Sequence, residues 1–412
     1  MLREAYKALN PKAAPGVDDV TWAEYGQGLE NRLRDLHGRV HRGSYRAQPS
    51  LRTYIPKTDG RMRPIGIAAL EDKIVQQAVV WVLQVIYEED FLGFSYGFRP
   101  GRSQHNALDA VWVAIMQRKV SWVLDADIRG FFDFIDHGWM MKFVEHRIGD
   151  QRVLRLIKKW LTAGVSEDGQ WSSTVVGTPQ GATISPLLAN IYLHYVLDLW
   201  VEAWRKCHAR GEVYIVRYAD DFVMGFQYRD DAEAFRRMLG ERVQKFGLEL
   251  NMEKTRLLEF GRFAMDNRAK RGEGKPETFE FLGFTHICAR RRKDGGFIVR
   301  RKTIAKRLRM KVKQIAKELM RRRHNPVSEQ GRWVRSVVRG YFNYHAVPGN
   351  IHALGRFRNL VARAWMRALR RRSQKGRGLT WVRMQRLLDT WLPRPRILHP
   401  YPNQRLRVTN PR

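Results

Sequence analysis

The stretch Val213-Tyr214-Ile215-Val216-Arg217-Tyr218-Ala219-Asp220-Asp221-Phe222-Val223-Met224-Gly225-Phe226 decides the fold. Val213, Ile215 and Arg217 alternate with Tyr214, Val216 and Tyr218, the period-two signature of a strand, and a second apolar run follows the two aspartates. Asp220 and Asp221 therefore sit side by side at the tip of a hairpin between buried strands. Two like charges there are costly unless a cation shares them. A divalent metal meets that need, and all-oxygen ligation points to magnesium. A third carboxylate comes from a similar setting. Asp125 and Asp127 follow the apolar Val120, Trp122, Val123 and Leu124, and the chain continues Ile128-Arg129-Gly130-Phe131-Phe132-Asp133-Phe134-Ile135. One strand supplying Asp127 beside a hairpin supplying Asp220 and Asp221 would hold two metal ions for phosphoryl transfer.

The charge distribution names the kind of partner. The 412 residues carry a formal net charge of +34, which calls for a polyanion. Residues 291–412 hold 34 basic and 4 acidic residues, so nearly all of the excess is C-terminal. Cys207 and Cys288 are the two cysteines, with no Cys-x-x-Cys pair, which argues against a disulfide framework or a zinc ribbon. MLREAYKALN has no apolar signal core and no run reaches transmembrane length. The expected setting is the cytoplasm or nucleoid, in a ribonucleoprotein.

Upstream of the aspartates, Thr21 or Asp19 is placed to cap a helix over 22–39. Residues 50–70 read as a basic hairpin, with Lys57, Arg61 and Arg63 near its tip and within reach of a triphosphate or template phosphates. A helix follows over 71–90. In FLGFSYGFRPGRS at 91–103, Arg99 and Arg102 interleave with aromatics, a composition suited to stacking on bases and gripping phosphates; Phe91, Phe94 and Phe98 serve equally well as core. Ser103 caps a helix over 104–117. Further helices are expected over 137–148 and 151–161, and a short strand pair over 170–177. In Thr178–Ser185 a Gly-bearing loop carries Gln180 and Gly181 into a long helix, with Ser185 as cap and Pro186 in the first turn.

Downstream, helix 230–246 stops at Gly247. Residues 264–277, polar and Gly-rich, read as a flexible insertion. Phe279 to Phe284 close the domain with a short strand pair. Ile304, Leu308, Val312, Ile315 and Leu319 then make an amphipathic stripe over 303–323, with Lys306, Arg307, Lys311, Lys313 and Lys317 opposite and Arg321 near its end. Helices are expected over 328–345, 351–371 and 379–390, and an extended Pro-rich tail after them.

This order describes a right-hand polymerase, an α+β fold of fingers and palm followed by an all-helical basic thumb. The chain resembles the group II intron-encoded reverse transcriptases, also called maturases, of the bacterial type without an endonuclease domain. The resemblance rests on YIPKTDGRMRPIGI at 54–67, SYGFRPGRS at 95–103, DIRGFFDFI at 127–135, GTPQGATISPLLANIYL at 177–193, YADD at 218–221, NMEKT at 251–255, FLGF at 281–284 and GYFNYHA at 340–346. It implies fingers in 1–118, palm in 119–290, a thumb or maturase-like RNA-binding domain in 291–395 and a Pro/Arg-rich tail in 396–412.

The resemblance also implies residue roles. Asp127, Asp220 and Asp221, with the backbone carbonyl of Ile128, would ligate two Mg2+ ions, for which Mn2+ substitutes. Phe132 would lie beneath the deoxyribose and exclude a 2′-hydroxyl. Gln180 and Gly181 would flank the incoming nucleotide and template base. Lys57 and Arg63 would bind phosphates, and Lys254 would steady the primer end or the nucleotide. Arg99, Arg102, Lys306, Lys313, Lys317 and Arg321 are the expected nucleic-acid contacts. The partners implied are an RNA template, group II intron RNA, a DNA primer or target and dNTPs, and the activity is RNA-directed DNA synthesis with assistance to splicing. A domesticated reverse transcriptase of DNA repair or defence, or a splicing maturase that only binds, are the alternatives.

Two features depart from the family. The turn Pro15-Gly16-Val17-Asp18 comes almost at once, so the usual N-terminal extension is expected to be nearly absent. After residue 300 the histidines are His324, His345, His352 and His399, with no cysteine, so no endonuclease metal site is expected. An intron served by such a protein would prime from an existing DNA end.

Overall fold

The computed structural model describes residues 1–56, 62–173, 176–178 and 181–409. The helices are α1 (Leu2–Ala8), α2 (Trp22–Gly26), α3 (Leu29–His41), α4 (Leu70–Asp90), α5 (Gln104–Gln117), α6 (His137–Arg147), α7 (Gln151–Thr162), α8 (Ser185–Leu193), α9 (Leu199–Cys207), α10 (Arg229–Gln244), α11 (Ala264–Lys270), α12 (Ala305–Arg321), α13 (Val327–His345), α14 (Ile351–Arg370), α15 (Trp381–Trp391) and α16 (Pro402–Thr409). The strands are β1 (Ser50–Pro56), β2 (Met62–Ile67), β3 (Trp122–Ala126), β4 (Val165–Glu167), β5 (Gln170–Ser172), β6 (Val213–Tyr218), β7 (Asp221–Phe226), β8 (Arg256–Glu259), β9 (Phe279–Phe281), β10 (Phe284–Arg290) and β11 (Phe297–Thr303). The chain divides into two compact units. One comprises Met1–Ala107, Leu124–Met224 and Tyr228–Leu257; the other comprises Leu108–Val123, Gly225–Gln227 and Leu258–Arg412.

In the first unit Thr21 starts α2 with a full capping box, its side chain accepting from the Glu24 N–H while Glu24 reaches back. The helix expected over 22–39 is two helices, because Gly28 stands between α2 and α3 at φ 73°, a left-handed conformation no helix can run through. β1 pairs antiparallel with β2 from Leu51↔Ile67 to Pro56↔Met62, and parallel with β4 at Ser50↔Val165. The strand pair expected over 170–177 is instead β4–β5, pairing Val165↔Ser172. Asp168 and Gly169 make its turn at φ 49° and 79°, the double positive φ that suits a tight hairpin.

Ser185 does not cap α8. It is the first helical residue, followed by Pro186, and its hydroxyl bonds that of Thr178 at 2.8 Å instead. A π-helical turn, His194–Asp198, links α8 to α9. A four-stranded sheet of order β6-β7-β3-β8 carries the aspartates; the strand ends that bear them belong to the first unit.

In the second unit β9, β10 and β11 form an antiparallel sheet, with β10 central. The strand pair expected to end near Phe284 thus continues to Thr303. His286 and Arg301 are register partners and both buried, and these polar residues hide the alternation. His286 stacks on Phe279 at 4.6 Å, and burial pushes its imidazole down to about 3. Arg301 pairs with Asp109 at 2.7 Å.

The segment 264–277 is not a loose insertion: it forms α11 and is tied by Arg271, whose guanidinium pairs with Glu259 and Glu273. Glu259 is 8% exposed, and a carboxylate so buried requires a cation. From Ala305 onward the described chain is helical. Leu308, Ile315, Val338, Phe357, Val361 and Trp365 make its core, with Tyr341 stacked on Phe357 at 3.6 Å. The tail is not wholly extended, since Pro402 opens α16. Arg405 of α16 reaches Asp109 at 2.9 Å.

Candidate active site

Asp127 follows β3 directly. The segment after α10 runs antiparallel to the residues beyond it: Asn251 N–H donates to the Asp127 carbonyl at 2.8 Å, Arg129 N–H donates to the Glu249 carbonyl at 2.8 Å, and Ile128 bridges Leu250. This pairing sets the Asn-Met-Glu-Lys-Thr stretch beside the carboxylate. Lys254 Nζ lies 2.9 Å from Asp127 Oδ2, and Asn251 Nδ2 donates to the same oxygen at 3.2 Å. Asp127, Gly130, Asn251 and Lys254 line a cleft of about 350 Å3.

Ala219 and Asp220 make the turn between β6 and β7, and Asp221 is the first residue of β7, so the two aspartates stand side by side at the end of the hairpin. Ala219 takes φ 56° immediately before the two aspartates, a left-handed conformation that is uncommon for a residue with a Cβ. Asp221 is exposed and Asp220 half-buried. Burial holds the Asp220 carboxyl above the usual carboxylate range. Its own backbone N–H and the charges of Arg63 and Arg217 pull it down, while Asp127 pushes it up. Asp127, Asp220 and Arg63 therefore share one electrostatic neighbourhood. Ile128 is buried beside Asp127.

Phe132 sits in a short 3-10 turn, Phe131–Asp133, started by Gly130 at φ 53°. It packs edge-on against Phe131 at 5.2 Å and, with Arg52, Pro64, Ile65, Gly66 and Gly177, lines a cleft of about 250 Å3. Thr178 N–H donates to the Phe132 carbonyl at 2.9 Å, so the glycine loop before α8 is pinned to this turn. Gly181 has φ 118°, and a Cβ on it would stand 2.7 Å from Ile65 Cγ2 and 2.8 Å from the Gly66 carbonyl. Its close approach is to β2. Lys57 and Gln180 lie outside the described residues.

Arg99 is a correction. Its side chain is 2% exposed, paired with Glu88 at 2.9 Å, and donates to the carbonyls of Phe91, Leu92 and Ser95. A guanidinium committed to four acceptors inside the fold has nothing left for phosphate. Arg102 likewise donates to the Gly93 and Ser95 carbonyls and lies 5.5 Å from the Tyr96 ring. The aromatics around them divide: Phe91 is core, whereas Phe98 is 49% exposed and lies 6.3 Å from the Tyr218 ring. In the second unit, Lys306, Lys313, Lys317 and Arg321 are all exposed on α12, with Arg321 paired to Glu318.

Sequence reasoning passed over Arg217, Asp198, Asn190 and Ser95. Arg217 is fully buried and forks onto Asp198, also fully buried, behind the aspartate turn. The signal was present: an arginine within an apolar strand and an aspartate between Leu197 and Leu199 of an apolar helix are ionic residues that can be buried only as partners.

Three aspartates and a buried carbonyl-bearing neighbour are hard oxygen donors of the kind Mg2+ and Mn2+ take. The repulsion between Asp127 and Asp220 fits a shared cation. Among the described residues no three His, Cys, Asp or Glu side chains converge closely enough to close such a site.

A hairpin bearing paired aspartates, an acidic strand end beside it, a basic hairpin and a helical basic C-terminal region define a nucleotide polymerase of the right-hand class. The sequence profile of the reverse transcriptase (RNA-dependent DNA polymerase) family matches residues 55–286, more than half of the chain, and the chain belongs to that family. RNA-templated DNA synthesis is the activity that goes with it. Protein YkfC of Escherichia coli (strain K12) is 36% identical over 283 residues, covering 60% of this chain and 74% of YkfC. The group II intron-encoded protein LtrA of Lactococcus lactis subsp. cremoris is 42% identical over 186 residues, covering 44% of this chain and 31% of LtrA. Nuclear intron maturase 2, mitochondrial, of Arabidopsis thaliana is 30% identical over 175 residues, 32% of this chain and 23% of its own length. The chain thus spans about a third or less of these two intron proteins. No helix among the described residues is long and apolar enough to cross a membrane.

Proposed function

We propose that the chain copies an RNA template into DNA with Asp127, Asp220 and Asp221 as its metal-binding carboxylates, and that its basic C-terminal region binds group II intron RNA. The observation that carries the reading is the common electrostatic neighbourhood of Asp127, Asp220 and Arg63, with Asp127 lining a cleft beside Asn251 and Lys254. Two Mg2+ ions, when bound, would lower the pKa of the primer 3′-hydroxyl and neutralise charge on the triphosphate.

The chain's own residues do the rest. Arg63 pairs with phosphate from the fingers hairpin. Lys254, paired with Asp127 at 2.9 Å, would steady the primer end or the incoming nucleotide. Phe132 supports the sugar and excludes a 2′-hydroxyl. Fingers, palm and thumb correspond to 1–118, 119–290 and 291–395. A cytoplasmic or nucleoid ribonucleoprotein follows from an intron RNA partner. Primer extension on an RNA template tests the reading. Asp221→Asn is expected to abolish it while leaving RNA affinity within about twofold, since a lost ligand removes transition-state stabilisation rather than phosphate contacts. Extension at the wild-type rate by the folded variant removes Asp221 from the site.

A further inference from the structure

We infer that Arg217 is a positioning residue: through a fully satisfied guanidinium it fixes the left-handed turn that aims Asp220 and Asp221. Arg217 has five N–H donors, and all five have partners. Nε donates to Asp198 Oδ1 at 2.7 Å, Nη2 to Asp198 Oδ2 at 2.5 Å and to Ser95 Oγ at 2.7 Å, and Nη1 to Asn190 Oδ1 at 3.0 Å and to the Ala219 carbonyl at 3.0 Å. The last bond is the one that matters for the site. It holds the carbonyl of the residue immediately before Asp220, at the position whose φ of 56° costs a non-glycine residue roughly 1 kcal/mol or more.

The surroundings make the arrangement single-valued. Arg217 exchanges backbone bonds with the loop before α5, its N–H donating to the Phe94 carbonyl at 2.9 Å and its carbonyl accepting from Tyr96 N–H at 2.8 Å. Asn190 donates from Nδ2 to the Gly97 carbonyl at 2.7 Å. Gly97 in turn lies so close that a Cβ on it would stand 2.2 Å from the Ala219 nitrogen. The turn is therefore held on one side by a carbonyl bond from Arg217 and on the other by the bare backbone of Gly97. Asp198 comes from the π-helical turn, where one extra residue per turn departs from regular helix, a distortion that tends to accompany functional sites. Lysine could keep the charge but offers three donors in no fixed plane, so it cannot serve Asp198, Ser95, Asn190 and Ala219 together.

This inference rests on the polymerase reading, and the experiment separates the two. Arg217→Lys and Ser95→Ala are purified with the wild type. Each is measured for thermal unfolding, RNA–DNA duplex affinity, Mn2+ binding by electron paramagnetic resonance, and kcat and KM for dNTP across a Mg2+ titration. A positioning role lowers kcat about a hundredfold in Arg217→Lys, since misplacement by about 1 Å costs that much. It raises the half-saturating Mg2+ severalfold and weakens Mn2+ binding, with duplex affinity and dNTP KM nearly unchanged. Ser95→Ala, which removes one small partner, moves the same quantities by a smaller factor and keeps the inference testable if Arg217→Lys does not fold. A purely structural role lowers the unfolding temperature and the active fraction alone. Unchanged Mn2+ binding and Mg2+ half-saturation in a folded variant of either residue overturns the inference. A wild type that extends no primer on any template overturns the polymerase reading instead.

Discussion

Asp72 is buried and carries two hydrogen bonds, from the Tyr45 hydroxyl and from the Gln48 N–H at 3.0 Å, yet burial still pushes its carboxyl up to about 6. A carboxyl that holds its proton more tightly folded than unfolded contributes stability that is fully present below its unfolded pKa, about 3.9, and lost as pH rises through about 6. Asp72→Asn mimics the protonated form, so the two proteins should be nearly equal in stability at pH 4. Between pH 4 and 7 the variant should gain about 2 kcal/mol on the wild type. Denaturant unfolding at several pH values checks this, and a difference that stays flat removes the shift. Phe132 supplies a second residue-scale outcome. Phe132→Ala should raise the ratio of ribonucleotide to deoxyribonucleotide kcat/KM about tenfold or more, because removing a ring from a packed cleft opens room for a hydroxyl. An unchanged ratio with activity retained assigns the discrimination elsewhere. At this scale the aspartates were legible, because carboxylates at strand ends announce themselves in any apolar context. Arg99 was misread for the opposite reason: burial and pairing with Glu88 depend on which helix faces the loop, and no spacing in the chain states that.

Among the elements, the long amphipathic helices other than the one expected over 22–39 were legible to within a residue or two, α5 matching its expected span of 104–117, since period and caps are local. Ser103 does cap it, accepting from Asn106 N–H at 3.3 Å. The β10–β11 hairpin was not legible, because its inward positions include His286 and Arg301, and the partner that makes Arg301's burial tolerable, Asp109, lies far away in sequence. The same holds for α11, ordered by Glu259. The loop before α8 carries an element-scale prediction. Gly181 combines φ 118° with contact against β2, so Gly181→Ala should cost about 2 kcal/mol of stability and lower kcat/KM for dNTP about tenfold or more, with duplex binding kept. Shortening Ile65 alone should not rescue it, because the Gly66 carbonyl and the backbone angle remain. Full rescue by Ile65→Ala would show that the side-chain contact is the whole cost.

Over the whole molecule, the concentration of positive charge beyond residue 290 was plain from counting, and its exposure on α12 follows from the apolar stripe that α12 turns inward. Replacing Lys306, Lys313 and Lys317 with Glu leaves Leu308, Ile315 and Leu319 in place, so thermal stability should change little. If each lysine neutralises one phosphate, the slope of log affinity against log salt should flatten by roughly 2 to 3. The loss should be nearly the same for every sequence, since phosphate contacts position without specifying. Duplex titrations at several salt concentrations decide it, and an unchanged slope in the folded triple variant clears α12 from the binding surface.

The two cysteines lie one in each unit, and their settings differ sharply. Cys207, at the end of α9, is exposed, while Cys288 is buried in β10 and burial pushes its thiol up to about 12. Alkylation proceeds through the thiolate, so at neutral pH a maleimide should modify the native chain at one site and reach the second only when β10 opens. The wild-type sequence thus carries an address for a single fluorophore and, in the same molecule, a chemical clock for the opening of the β9–β11 sheet.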